Sequence, residues 1–536
     1  METSYEPMIG APMRHATPVK HTRQRQRESQ QMLSNDQSAV SSYAQAPIPN
    51  QHSKVHPRRH WTACLVSLTL LAACGGGGGG GDNKVTAAFA PSKDLANICV
   101  NPTESAEKQG VLDNEKAWVR SFVDERYLWY KDVPAVDAAR YTKVEDYYTA
   151  LLTKAKDSTG LRDLDRYSYS QTYTAYNQRS SGVSVDYGIA WARASSSPPR
   201  SWTVSDVEPK SPAGLAGVRR GDKLASVDGV DFIFGNADPL NKALFPENQD
   251  VHKFEFDRAG TKVSFQFSAG ASYETTPVRQ AKVINYNGKK IAYVFFDAFV
   301  AKAQDDLSRT FQDFANQGAT DLVIDLRYNP GGLLILSAQL AYMIAGTKSE
   351  SKNFYQLIYN DKRPNDTANG ITRFESRYID WVAQVYTNTK LPTLNLNKVT
   401  VLVTENSASA SEALINGLRG IDVEVNLIGQ TTYGKPYGSN PTTNCGRTYS
   451  MIEFKGANAK GFGDYGAGFA PTCTVGDDIT REFGDPSEGM LAAGLYYAAN
   501  GKCVSSASSR LATLQTPKLI YDRKPAQTIW TPIRNQ

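Results

Sequence analysis

Apolar positions change their spacing several times along this chain, and each change predicts a different kind of element. Between residues 115 and about 156, Trp118, Phe122, Tyr127 and Leu128, then Tyr147, Leu151 and Leu152, recur at the spacing of a helix face. This predicts a small helical domain over 95–180, in which the run Tyr127-Leu128-Trp129-Tyr130 is core packing. From about 181 to 272 the pattern is that of a compact β-rich module. Trp202-Thr203-Val204 and Leu224-Ala225-Ser226-Val227 read as strands, Asp228-Gly229 as a hairpin turn, and Ser211-Pro212-Ala213 as the start of a short helix ending near Gly217. Over 273–500 strands and helices alternate. Segments 291–296 and 322–326 are apolar strands, and Leu307, Phe311 and Phe314 between them share one helical face that Gly318 can close. The chain therefore reads as multidomain α/β.

The first 53 residues are rich in Gln, Ser, His and Arg without apolar periodicity, a composition that cannot bury a core. Arg58 and Arg59 then precede the apolar run 64–73, too short to span a bilayer and suited to an export signal. Leu71-Ala72-Ala73-Cys74 resembles the bacterial lipobox, which implies lipidation of Cys74. The seven glycines 75–81 would make 74–94 a flexible tether to a membrane, on the outer membrane facing the periplasm. The leader and signal are thus 1–73, and the polar segment 501–536 is a C-terminal tail.

Charge changes the picture by exclusion. The whole chain carries 59 Lys and Arg against 54 Asp and Glu, and without residues 1–73 the balance is 51 against 50. Nucleic-acid binding has no electrostatic support. Four cysteines follow Cys74, an even number that favours disulfides in an exported chain. Of the three possible connectivities, Cys445–Cys473 with Cys99–Cys503 is the expected one. A zinc site is the weaker alternative, because no CxxC spacing or nearby histidine supports it. No metal or organic cofactor is implied.

Of six histidines, only His252 follows the leader, so most serine hydrolase designs lack their base. Strand 399–403 runs into Ser407-Ala408-Ser409-Ala410-Ser411-Glu412 and a helix over 412–418, which presents a residue at a helix N-terminus. Ser409 and Glu412 have the spacing of a capping box, the plain structural reading. Two other segments shift the balance. Asp325-Leu326-Arg327-Tyr328-Asn329-Pro330-Gly331-Gly332 ends a strand in a turn rich in backbone N–H, as an oxyanion hole requires. Gly429-Gln430-Thr431-Thr432-Tyr433-Gly434-Lys435 places a lysine just after strand 425–428, and a lysine with a lowered pKa can activate a serine.

Assembled, these segments resemble the C-terminal-processing (tail-specific) serine protease family, over roughly residues 95–500. Residues 209–222 and 224–229 resemble a PDZ domain, with Tyr187-Gly188-Ile189-Ala190 as its carboxylate-binding loop. Segments 461–466, 468–473 and 483–486 resemble an exported bacterial branch of the family. The resemblance implies a crotonase-like α/β catalytic core and a Ser409/Lys435 dyad. It also implies an oxyanion hole from Ala410 and Gly331 or Gly332, support from Glu412 and Thr432, and polypeptide substrates recognised by their C-terminal tails. One departure matters: many members carry a glutamine four residues after the lysine, and this chain has Ser439. The alternative function is a non-catalytic peptide-binding protein on the same fold.

Overall fold

The computed structural model describes residues 89–246, 248–504 and 520–521. The leader, Cys74 and its glycine run lie outside the described residues.

Helices α1 (Leu112–Arg126) and α2 (Val144–Leu151) form the N-terminal segment, with Asp113 and Glu115 in the first turn of α1 where the helix dipole favours them. Each buries one stripe: Trp118, Val119, Phe122 and Val123 from α1, and Val144, Tyr147, Tyr148 and Leu151 from α2. That stripe does not close on itself. Tyr449, Met451 and Ile452, some 300 residues later, complete the cluster. Strand β1 (Tyr169–Thr172) pairs antiparallel with Arg447–Ser450, so the N-terminal segment is stitched to the second half of the chain.

A second sheet runs in the order β6-β5-β4-β3-β2, with β2 (Ile189–Ser195), β3 (Ser201–Val207), β4 (Lys223–Val227), β5 (Val251–Arg258) and β6 (Thr261–Ser268), and Ile520–Tyr521 pairs antiparallel on the outer side of β2. The turn after β4 has Asp228 at φ 51° and Gly229 at φ 79°, the left-handed pair of a tight hairpin. Its core is aromatic, with Trp191, Trp202, Phe232, Phe254 and Phe256 buried.

The third sheet carries the serine and lysine motifs. Its order is β7-β8-β9-β10-β11-β12, from β7 (Val278–Tyr286), β8 (Lys289–Phe296), β9 (Asp321–Asp325), β10 (Lys398–Val403), β11 (Glu424–Gly429) and β12 (Cys473–Thr474). Only β7 is antiparallel to its neighbour; Val294, Ile324, Val401 and Leu427 follow one another across the parallel strands. These strands are apolar at consecutive positions because both faces are covered. Ala292, Val294, Phe296, Leu322, Ile324, Val401 and Leu427 meet α3 (Ala303–Asn316), α4 (Leu334–Ala345) and α5 (Ala410–Gly420). The alternating set Ile291, Tyr293, Phe295, Val323, Leu402 and Ile428 meets α6 (Gly489–Asn500). Among the described residues no helix is long and apolar enough to cross a membrane.

The disulfides correct the sequence-based pairing. They are Cys99–Cys445 and Cys473–Cys503, not Cys445–Cys473 and Cys99–Cys503. Cys445 sits on the turn before Arg447–Ser450, whose neighbour Asn444 accepts from the Asn97 N–H at 2.8 Å, so the N-terminal segment delivers Cys99 to it. Cys473 lies on the edge strand β12, over which the end of α6 returns the chain at Cys503.

Candidate active site

The turn after β10 presents three serines, and their surroundings differ. Ser407 and Ser411 are fully buried, and both hydroxyls are committed to the neighbouring turn. Ser407 Oγ donates to the Leu326 carbonyl at 2.7 Å, and Ser411 Oγ to the Asn329 carbonyl at 3.0 Å. Ser409 is half-buried, and its hydroxyl makes no capping hydrogen bond to the helix it precedes. It also has φ 56° and ψ −113°, a conformation that costs a non-glycine residue on the order of 1–3 kcal/mol and that marks exposed nucleophiles on strand–turn–helix elbows.

The capping box expected from Ser409 and Glu412 is therefore put to a different use. Glu412, fully buried on the first turn of α5, accepts the Ser409 N–H at 3.0 Å and the Lys435 N–H at 2.8 Å on the same oxygen. Its other oxygen accepts the Gly434 N–H at 2.7 Å and the Thr432 hydroxyl at 2.6 Å. The Thr432 hydroxyl oxygen in turn accepts the Phe469 N–H at 2.7 Å. Burial pushes the Glu412 carboxyl upward, while the four hydrogen bonds donated to it pull the other way. Glu412 locks the serine turn to the lysine loop.

Lys435 lies half-buried on that loop. Burial lowers its ammonium to about 8, against the opposing pull of the Asp165 and Glu412 carboxylates. Its Nζ lies 5.7 Å from the centre of the Tyr167 ring. Among the described residues no hydrogen bond joins Lys435 Nζ to Ser409 Oγ. Ser439, four residues after the lysine, makes no hydrogen bond among the described residues.

The turn 328–332 closes the third side. Gly331 has φ +100°, and a Cβ there would fall 2.7 Å from Ser409 Cβ and 2.8 Å from the Ala410 nitrogen, so no larger residue fits beside the serine. The Gly331 N–H donates to Asn329 Oδ1 at 2.9 Å. The N–H groups of Gly332 and of Ala410, the first residue of α5, have no partner among the described residues.

Beneath this turn lies an ionic cluster that sequence reasoning did not anticipate. Arg327, fully buried, binds Asp325 at 2.8 Å, Glu488 at 2.9 Å and Asp477 at 2.7 Å. Arg220, from the turn before β4, also binds Asp477 at 2.7 Å, and the two guanidiniums hold that carboxyl far below the usual range. Phe483 covers both, with its ring centre 4.2 Å from Arg220 and 5.3 Å from Arg327. The glycine-rich segments act at the lysine loop instead: Gly466 accepts from Arg166, and Phe469 exchanges hydrogen bonds with Thr432.

The loop Tyr187–Ala190 lies in the second sheet, away from the serine. Tyr187 is core, packed on Phe254 and Phe267, while Gly188 has φ +75° and donates its N–H to Asp186 at 2.6 Å. Ile189 and Ala190 begin β2.

Residues 290–457 match the model of peptidase family S41, and residues 114–169 that of the peptidase S41 N-terminal domain. A carboxyl-terminal-processing protease of Synechocystis sp. is 28% identical over 42% of this chain and 47% of its own. The chloroplastic carboxyl-terminal-processing peptidase 1 of Arabidopsis thaliana is 23% identical over 42% of each chain. The chain thus spans about half the length of these curated relatives. A crystal structure from Bacteroides fragilis, described provisionally as an S41 protease, superposes with a TM-score of 0.58 at 25% identity, covering 72% of this chain and 97% of that one. Both matched regions and these relatives make the chain similar to peptidase family S41.

Proposed function

We propose that this protein is a serine endopeptidase with a Ser409/Lys435 dyad, acting on exported or misfolded proteins whose C-terminal tails are captured by a PDZ-like module over 181–272. The observation that carries the reading is Glu412. One carboxylate oxygen takes the backbone N–H of both Ser409 and Lys435, so serine and lysine are held in one frame.

Neutral Lys435 is the base. With its ammonium lowered to about 8, roughly one molecule in ten carries it neutral at pH 7, enough for general-base work. Ser409 Oγ bonds to the scissile carbonyl carbon while its proton passes to Lys435 Nζ and the carbonyl electron pair moves to oxygen. The N–H groups of Ala410 and Gly332 face that oxyanion, since Gly331 N–H is committed to Asn329. Lys435 then returns the proton to the leaving amine as the C–N bond breaks, and water repeats the sequence on the acyl-enzyme.

In the PDZ-like module, Ile520–Tyr521 of the chain itself pairs antiparallel with Ala192 and Arg193 of β2, on the side where a peptide tail would add as a strand with its carboxylate toward Tyr187–Ala190. Export with a lipid at Cys74 would put the enzyme on a bacterial outer membrane facing the periplasm. The test is labelling with a fluorophosphonate probe followed by intact mass. One adduct on the wild type and none on Ser409→Ala supports the reading. No adduct on the wild type, with tail peptides still bound, would instead identify a non-catalytic binding protein.

A further inference from the structure

The lysine loop is not built by the catalytic sheet alone. The turn 165–168, which ends the N-terminal segment, lies over it and reaches the carbonyl next to the lysine. Tyr167, 1% exposed, donates its hydroxyl to the Gly434 carbonyl at 2.5 Å, and Arg166 donates to the same carbonyl and to that of Gly466, each at 3.2 Å. The Tyr167 ring meets Tyr433 at 6.0 Å and Tyr437 at 5.6 Å, the residues two before and two after Lys435. The ammonium at 5.7 Å from its centre thus has an aromatic wall on the side of the N-terminal segment. The turn itself is pinned. Asp165 accepts the Tyr167 and Ser168 N–H groups at 3.0 and 2.9 Å and the Tyr127 hydroxyl at 2.6 Å, and Ser168 Oγ accepts the Ile452 N–H at 2.9 Å.

We propose that Tyr167 is the positioning residue for Lys435: its ring covers the ammonium and its hydroxyl fixes the adjoining Gly434 carbonyl, in a chain whose Ser439 gives the lysine no side-chain partner. The N-terminal segment is then a wall of the active site and not a separate module. The inference rests on the Ser409/Lys435 reading.

The charged and titratable groups facing Lys435 are Asp165, Arg166 and Tyr167 from the turn, Glu412 from α5, and Tyr433 and Tyr437 from its own loop. Both carboxylates favour the ammonium, and so does the π face of a ring. The group is lowered all the same, so exclusion of water outweighs them, and opening the wall should let the proton back on.

The test is the pH dependence of fluorophosphonate labelling on the full chain. Ser409 Oγ bonds to phosphorus, fluoride leaves, and the base takes the serine proton, so the rate rises with pH as the base loses its own. Removing the ring in Tyr167→Ala is expected to move the rising limb upward by about one pH unit or more, toward the ordinary lysine value, with the plateau rate regained at high pH. Tyr167→Phe, which keeps the ring, is expected to keep the limb where the wild type has it. A merely structural role would lower the rate equally at every pH. If Lys435→Ala labels like the wild type, or the wild type does not label, the dyad reading falls and this inference with it. If that control behaves and the Tyr167→Ala limb does not move, Tyr167 does not position the lysine and only this inference is overturned.

Discussion

Two buried carboxylate centres flank the serine turn, and they are built on opposite principles. Around Arg327 the partners are charged: two guanidiniums against Asp325, Asp477 and Glu488. Around Glu412 every partner is neutral, three backbone N–H groups and one hydroxyl. Charged pairing in the interior fixes protonation states, and an ammonium drawn into such a pair would hold its proton more tightly than in water. Neutral donors anchor a carboxylate without recruiting the lysine, so Lys435 can be desolvated down to about 8 while its loop stays fixed. The Arg327 centre joins the turn 325–332 to the start of α6 and, through Arg220, to the second sheet. The Glu412 centre holds Ser409 and Lys435 in one frame.

The contrast is broken most severely at Arg327. Arg327→Met leaves Asp325 and Glu488 buried without a cation, and urea unfolding should show a loss of about 3–5 kcal/mol, a large part of the stability of any domain.

At Lys435 the effect should be of opposite sign. Its ammonium is lowered from 10.5 to about 8 in the folded state, so between those values the unfolded chain binds the extra proton and wild-type stability rises with pH. Below about 8 the folded state must hold a buried charge at a cost of about 3 kcal/mol. Lys435→Met should therefore be the more stable protein at pH 7, by up to about 3 kcal/mol, and the gap should close as pH climbs through 8 to 10.5. A variant less stable than wild type at pH 7 would mean that the lysine is not desolvated.

Glu412→Gln sharpens the comparison from the other side. The amide must turn its NH2 toward N–H donors, which should cost about 1–3 kcal/mol in unfolding experiments. Removing the anion also takes away one influence that raises Lys435, so the rising limb of the labelling rate should move to lower pH even as the plateau falls. The smallest effects belong to the outer serines. Ser407→Ala loses two buried hydrogen bonds, to the Leu326 carbonyl and from the Thr404 N–H, and Ser411→Ala loses one, at about 0.5–1.5 kcal/mol each, and both variants should still accept the probe.

How much of this was legible beforehand follows from the range of each interaction. The strands 291–296, 322–326 and 399–403 and the helix with Leu307, Phe311 and Phe314 were readable because periodicity is a local property, and each is found within a few residues of its expected place. The three motifs were readable as segments, but the choice among Ser407, Ser409 and Ser411 came from family likeness. Only the fold reveals that the outer two are tied down. Tyr167 was invisible because its partner lies 267 residues away, and its surroundings look like any polar–aromatic turn. The disulfides failed for a related reason: four cysteines admit three connectivities, and the pairing depends on where the edge strand β12 and the N-terminal segment dock. Of the aromatic run, Tyr127 is core while Leu128, Trp129 and Tyr130 pack half-buried against it, and nothing local indicated that Tyr449 and Ile452 would complete that core.

The most direct test of the dyad is cleavage of casein by the chain from Asp82 onward, beside Ser409→Ala and Lys435→Ala, at pH 8. The account predicts fragments from the wild type and none from either variant, with both variants folded. Cleavage that survives in Lys435→Ala would contradict it and would require another base for Ser409.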